Sequence, residues 1–252
     1  MKLELVRTLQ TQRNLYDIPR GMERFHKYVE MMTGGTNDIA LPLPAMNPMG
    51  KEHAAATYDA LIALDAEAVA AEALAEAERR LGEDPGDFRV CLVVADDAGG
   101  GWTNRYLSEA THRFQPGALT KRSWIVVLLW TGDDHAKEKI REETLMTAYR
   151  IAHIQRNGAP KTLRQMMDQE GRAAAFACAR RPALDDEDLA YTREVIKPYL
   201  ETSDYPTIFA CLYGDEAAKS VGYPPLGLSE RAGFALALEE ARSVNYSASS
   251  PP

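Results

Sequence analysis

Two continuous apolar runs stand out from the mixed background of the chain, FRVCLVVA at 88–95 and SWIVVLLW at 123–130. Each is short and bounded by polar or glycine-containing segments, the pattern of a strand buried on both faces. TIFACLY at 207–213 has the same form and predicts a third strand. Elsewhere the apolar positions recur at helical spacing. Phe25, Tyr28, Val29 and Met32 make one such stripe after Pro19. Asn47-Pro48 predicts a helix N-cap followed by proline in the first turn, opening an Ala/Glu-rich helix that stops at Gly82. A helix or turn reaching Phe114 follows the first strand. Further helices are predicted over about 135–157, 162–180, 185–201 and 228–242, the last capped by Ser229.

This order of elements predicts an α+β (or α/β) fold with a small sheet of at least three strands and helices predominating. Residues 1–242 read as a single domain, with 1–82 as a candidate helical layer and GEDPGD at 82–87 as the only hinge-like stretch. The irregular segment 33–50 is too apolar for a linker, so Leu41, Leu43, Met46 and Met49 should pack on the body. The polar tail 243–252 is expected to be disordered.

Composition narrows the function classes. There are 29 Lys+Arg against 37 Asp+Glu, a net charge of −8, which argues against a nucleic-acid partner. No 18-residue apolar run exists to span a membrane, and the N-terminus lacks a signal-peptide core. Cys91, Cys178 and Cys211 are odd in number and lie in apolar stretches, so they read as buried thiols of a cytoplasmic protein.

The helix over 138–157 sets Ile140, Thr144, Ala148 and Ile151 on one face and Glu142, Tyr149 and His153 on the other. In the next helix, Glu170 precedes a mid-helix Gly171, which suggests close approach of another element. Thr162-Leu163 followed by Glu170-Gly171, Ala173 and Phe176-Ala177 resembles the second helix of zincin-like metalloproteases of the predicted bacterial kind. Their first helix carries HExxH. The aligned pentapeptide here is Tyr149-Arg150-Ile151-Ala152-His153, so tyrosine replaces the first ligand and arginine the general base. The resemblance implies a zincin-like helix pair with His153 and Glu170 as candidate metal ligands. Zinc hydrolysis needs about three protein ligands and a carboxylate base. Further ligands would have to come from His112, His53 or Asp96, and Arg150 cannot be a base because guanidinium stays protonated. Zinc is thus one candidate cofactor, and its identity stays open.

The loop after the first strand, DDAGGGWTN, is the first candidate ligand site. Ligands of open α/β sheets bind at the carboxyl ends of strands. Asp96 and Asp97 stand there, Gly99–Gly101 permit close backbone approach, and Trp102 can stack on a planar ligand. Thr103 can cap the following helix, while Asn104, Arg105 and His112 add polar contacts; Tyr149 is placed with them as ligand-binding. Neither GxGxxG nor a P-loop is present. The second candidate is 33–53, with Thr36, Asn37, Asp38, Lys51, Glu52 and His53. No GxSxG elbow supplies a nucleophile.

These features favour a small-molecule partner: a polar or anionic ligand, bound without protease chemistry in a cleft formed by 96–112 and the 142–170 helices. A metal-dependent hydrolase with non-standard ligands is one alternative. A structural or partner-binding protein that docks through the 51–81 helix is another.

Overall fold

The computed structural model describes residues 1–36, 38–82, 85–98, 103–179 and 184–249. The expectations placed on Asn37, on Gly99–Gly101 and Trp102, on residues 83–84 of the hinge-like stretch and on 250–252 lie outside these. The chain divides into two compact units, Met1–Ala148 and Tyr149–Pro252. The division falls inside a helix, where the sequence has no break in composition.

The first unit is built on a three-stranded parallel sheet of order β1-β2-β3: β1 (Lys2–Leu5), β2 (Asp87–Ala95) and β3 (Trp124–Trp130). Both apolar runs are strands, as their pattern predicts. β2 is central, and Val90 through Ala95 are buried. The register sets Lys2 beside Asp87 and Ala95 beside Trp130. β1 is not legible in the sequence, because KLEL is only four residues, too short for its alternation to stand out.

The first crossover contains α1 (Leu9–Asn14), α2 (Met22–Thr33), α3 (Glu52–Ala63) and α4 (Ala66–Leu81). The expected single helix over 51–81 is therefore two, broken where Asp65 takes a left-handed conformation with φ 56°. Asn47 is not its N-cap. Its Oδ1 accepts from the Met49 N–H at 2.9 Å in an Asx-type turn, and α3 begins five residues later. Leu43 and Met46 are fully buried, and Met46 bridges antiparallel to Ala95, so the irregular segment does pack on the sheet's end. The second crossover holds α5 (Arg105–Phe114) and α6 (Gly117–Thr120). Asn104, not Thr103, caps α5, accepting from the Leu107 N–H at 3.1 Å. α7 (Lys137–Asn157) buries Ile140, Thr144, Ala148 and Ile151, the predicted stripe.

The regular elements of the second unit are all helices among its described residues. It contains the end of α7 with α8 (Leu163–Phe176), α9 (Asp186–Ile196), α10 (Tyr205–Tyr213), α11 (Asp215–Ser220) and α12 (Ala232–Ser249). The predicted strand at 207–213 is α10. Its start is encoded: Asp204 accepts from the Thr207 N–H at 3.1 Å and Pro206 sits in the first turn. Ile208 through Tyr213 are all buried, and a helix buried on every side shows no polar face to betray its period. Ser229 lies three residues before the first residue of α12 and does not cap it. Gly171 lies where α8 crosses α12: a Cβ there would stand 2.2 Å from the Ala237 carbonyl oxygen. The mid-helix glycine thus has a packing cause.

No helix among the described residues is long and apolar enough to cross a membrane. Cys91 and Cys211 are buried, but Cys178, expected inside, is exposed at a left-handed position with φ 55° just past α8. Burial pushes the Cys91 and Cys211 thiols up to about 12. A thiol reagent such as dithionitrobenzoate should therefore label Cys178 in the native protein and all three cysteines only in denaturant. Fast native labelling of Cys91 or Cys211 would contradict the packing described.

Candidate functional site

Parallel pairing of β2 with β3 brings the residues that follow each strand side by side. Asp96-Asp97 leaves β2 and Thr131-Gly132-Asp133 leaves β3. Asp96 is buried and accepts from three side chains: Asn47 Nδ2 at 2.6 Å, Thr131 Oγ1 at 2.9 Å and His53 Nε2 at 2.8 Å. Burial would raise its proton affinity, but the bonds from His53, Asn47 and Thr131 outweigh that and hold its carboxyl below the usual range. Asp97 accepts the Gly132 N–H at 2.8 Å and the Arg105 guanidinium at 2.8 Å. Arg105 also clasps both oxygens of Asp133, at 2.7 and 3.1 Å, reaches Glu109 at 3.2 Å and lies over the Trp130 ring. Burial disfavours its charge, yet these carboxylates more than compensate and raise its pKa.

The two sequence candidates thereby meet in the first unit, through His53 of the 33–53 segment and Asp96 of the strand-end loop. Asp97 and Arg105 join them, while several other described candidates are elsewhere or otherwise occupied. Asp38 pairs with Arg122 at 3.0 Å on the surface, and the Thr36 hydroxyl donates to the Thr33 carbonyl. Asn104 is spent as a helix cap. His112 sits on α5, half-buried, with its pKa lowered by burial, and makes no hydrogen bond to Asp96 or Asp97. The Thr103 hydroxyl is buried without a hydrogen-bond partner among the described residues. Sequence reasoning missed Asn47, Thr131 and Asp133 as members of the cluster. The signal was available for two of them: once 88–95 and 123–130 are taken as adjacent parallel strands, the residues after each must be neighbours.

In the second unit, Arg150 and Glu170 form a buried ion pair, with Nε at 2.9 and 3.1 Å from the two carboxylate oxygens. Gln169 Nε2 also donates to Glu170, at 3.1 Å. The arginine that replaces a general base in the resemblance thus engages the glutamate that the same resemblance marks as a ligand. This helix pair does not fit a zinc ion unless that guanidinium is displaced. His153 lies 4.0 Å from Asp168, and burial lowers its pKa against the opposing pull of that carboxylate. Tyr149 packs its ring on Phe176 at 5.1 Å and beside His153, and burial raises its pKa.

A cleft of about 870 Å³ opens at the end of this pair, among His153, Lys161, Arg164, Asp168 and Arg172, over an apolar floor of Met167, Leu200, Ala237 and Ala241. Arg172 pairs with Asp168 at 2.6 Å and Arg164 with Glu201 at 2.5 Å. Lys161 is exposed and its ammonium makes no ion pair among the described residues. None of Lys161, Arg164 and Leu200 was singled out from the sequence. They acquire meaning only when the turn between α7 and α8 folds over α12.

No family model, curated protein or solved structure matches the chain.

Proposed function

We propose that the protein binds a small anionic molecule with an apolar body, such as a carboxylate or phosphate ester, in the cleft of the α7–α8 helix pair. The observation that supports it is the uncompensated Lys161 ammonium beside the Arg164 and Arg172 guanidinium groups, above an apolar floor. Cationic donors fix the anion, and the floor takes the remainder, as small-molecule sites generally divide the work. In the zincin-like reading of this helix pair, protease chemistry is absent, because Arg150 stands at the base position and holds Glu170. We read the protein as cytoplasmic, from its free thiols, and as having no nucleic-acid partner, from its acidic balance.

The test is calorimetric titration with a panel of aliphatic and aromatic carboxylates and phosphate esters. At least one should bind, and Lys161→Glu should weaken it by about tenfold or more, since a charge-assisted hydrogen bond is worth about 1.5–3 kcal/mol. Binding that is equally strong in Lys161→Glu would remove the site. Stoichiometric transition metal in the purified protein, with chelator-sensitive peptide cleavage, would favour the hydrolase alternative instead.

A further inference from the structure

Asp96 is held as a carboxylate by three side-chain donors, and its own side chain is only 4% exposed. A carboxylate only accepts hydrogen bonds. The His53 nitrogen that meets it, Nε2 at 2.8 Å, must therefore carry the hydrogen. In the neutral ring this leaves the lone pair on Nδ1. Nδ1 makes no hydrogen bond among the described residues, and the His53 side chain is 34% exposed. His53 is thus a base whose tautomer is fixed by Asp96 and whose side chain remains one-third exposed. It stands at the carboxyl edge of a parallel sheet, where such folds place their ligands.

Charge selects the substrate. Among the described residues of this network, the carboxylates of Asp96, Asp97, Asp133 and Glu109 outnumber the guanidinium groups of Arg105 and Arg113, which disfavours an anion. We propose that His53 is the general base of a hydrolytic site in the first unit, acting on small neutral or cationic esters, with Asp96 as its positioning residue. A water molecule gives a proton to Nδ1 as its oxygen bonds to the ester carbonyl carbon. The imidazolium so formed lies against the Asp96 carboxylate. On collapse, the bond from that carbon to the alcohol oxygen breaks and the leaving oxygen takes the proton back from Nδ1. Ester and water become acid and alcohol, and the protein is unchanged. This site is separate from the anion cleft, so either can fail alone.

The experiment uses the full chain with p-nitrophenyl acetate as a neutral probe and mono-p-nitrophenyl succinate as an anionic one. His53→Gln should lower kcat/KM for the acetate by about 10²–10⁴-fold, the usual worth of a general base. His26→Gln, an exposed histidine away from the cluster, should leave it unchanged. Asp96→Asn should lower kcat with KM unchanged, which a merely structural defect would not do selectively. If that variant unfolds, Thr131→Val removes one hydrogen bond from the carboxylate and should lower kcat less. Added imidazole should restore part of the rate to His53→Gly. Unchanged hydrolysis in a folded His53→Gln overturns the proposal, and preference for the succinate overturns the assigned substrate charge.

Discussion

Replacing Arg150 with methionine should destabilise the protein by about 3–5 kcal/mol, the cost of removing one partner of a buried ion pair. The side chains of Arg150 and Glu170 are only 6% and 3% exposed, so water cannot take over from the lost guanidinium. Gln169 still donates to Glu170, but a neutral amide does not balance a buried charge. The double variant Arg150→Met with Glu170→Met should recover most of the loss, because replacing both ions by apolar groups of similar volume is often neutral or stabilising. Urea unfolding of the single and double variants closes the cycle and isolates the coupling. A single variant as stable as the wild type would show that the pair contributes nothing to the second unit.

Gly171→Ala should also be strongly destabilising, although alanine is the better helix former by about 1 kcal/mol. The new methyl would sit 2.2 Å from the Ala237 carbonyl oxygen and 2.7 Å from its carbon. Both are backbone atoms, so no side-chain rotation relieves the clash and α8 must move away from α12. Overpacking of this kind costs about 1–3 kcal/mol and more when the backbone is rigid, which outweighs the propensity gain. Gly117 makes a clean control: a Cβ there meets nothing within 4 Å, so Gly117→Ala should be neutral or slightly stabilising. Thermal unfolding of the two variants distinguishes them. Equal melting temperatures would mean that the α8–α12 crossing is looser than described.

What the sequence made legible follows from what each signal depends on. The runs at 88–95 and 123–130 are strands because a parallel strand buried on both faces has to be apolar throughout. The same logic misled at 207–213, where a buried helix is equally apolar throughout; the deciding signals were Asp204 and Pro206 just ahead of the run. β1 alternates polar and apolar residues, but four residues are too few for that alternation to mark a strand. Asp96 was legible as a strand-end carboxylate, but its partners Asn47 and Thr131 come from distant segments brought together by register and by the Met46–Ala95 bridge. The cleft of the second unit was illegible for a different reason. Lys161 and Arg164 are ordinary surface cations until the fold sets them over an apolar floor.

The order of the sheet also bears on how the chain is made. Lys2 pairs with Asp87 and Leu5 with Val90, so β1, made before β2, has no partner until all of α1 to α4 has followed it. Closing so long a segment costs entropy that grows with the logarithm of its length. β2 and β3 are joined by a much shorter crossover and pay less for their pairing. β1 precedes β2 and β3 in the chain, but the cost of loop closure favours docking it onto a β2–β3 pair that has already formed. Until then its four residues are an exposed edge.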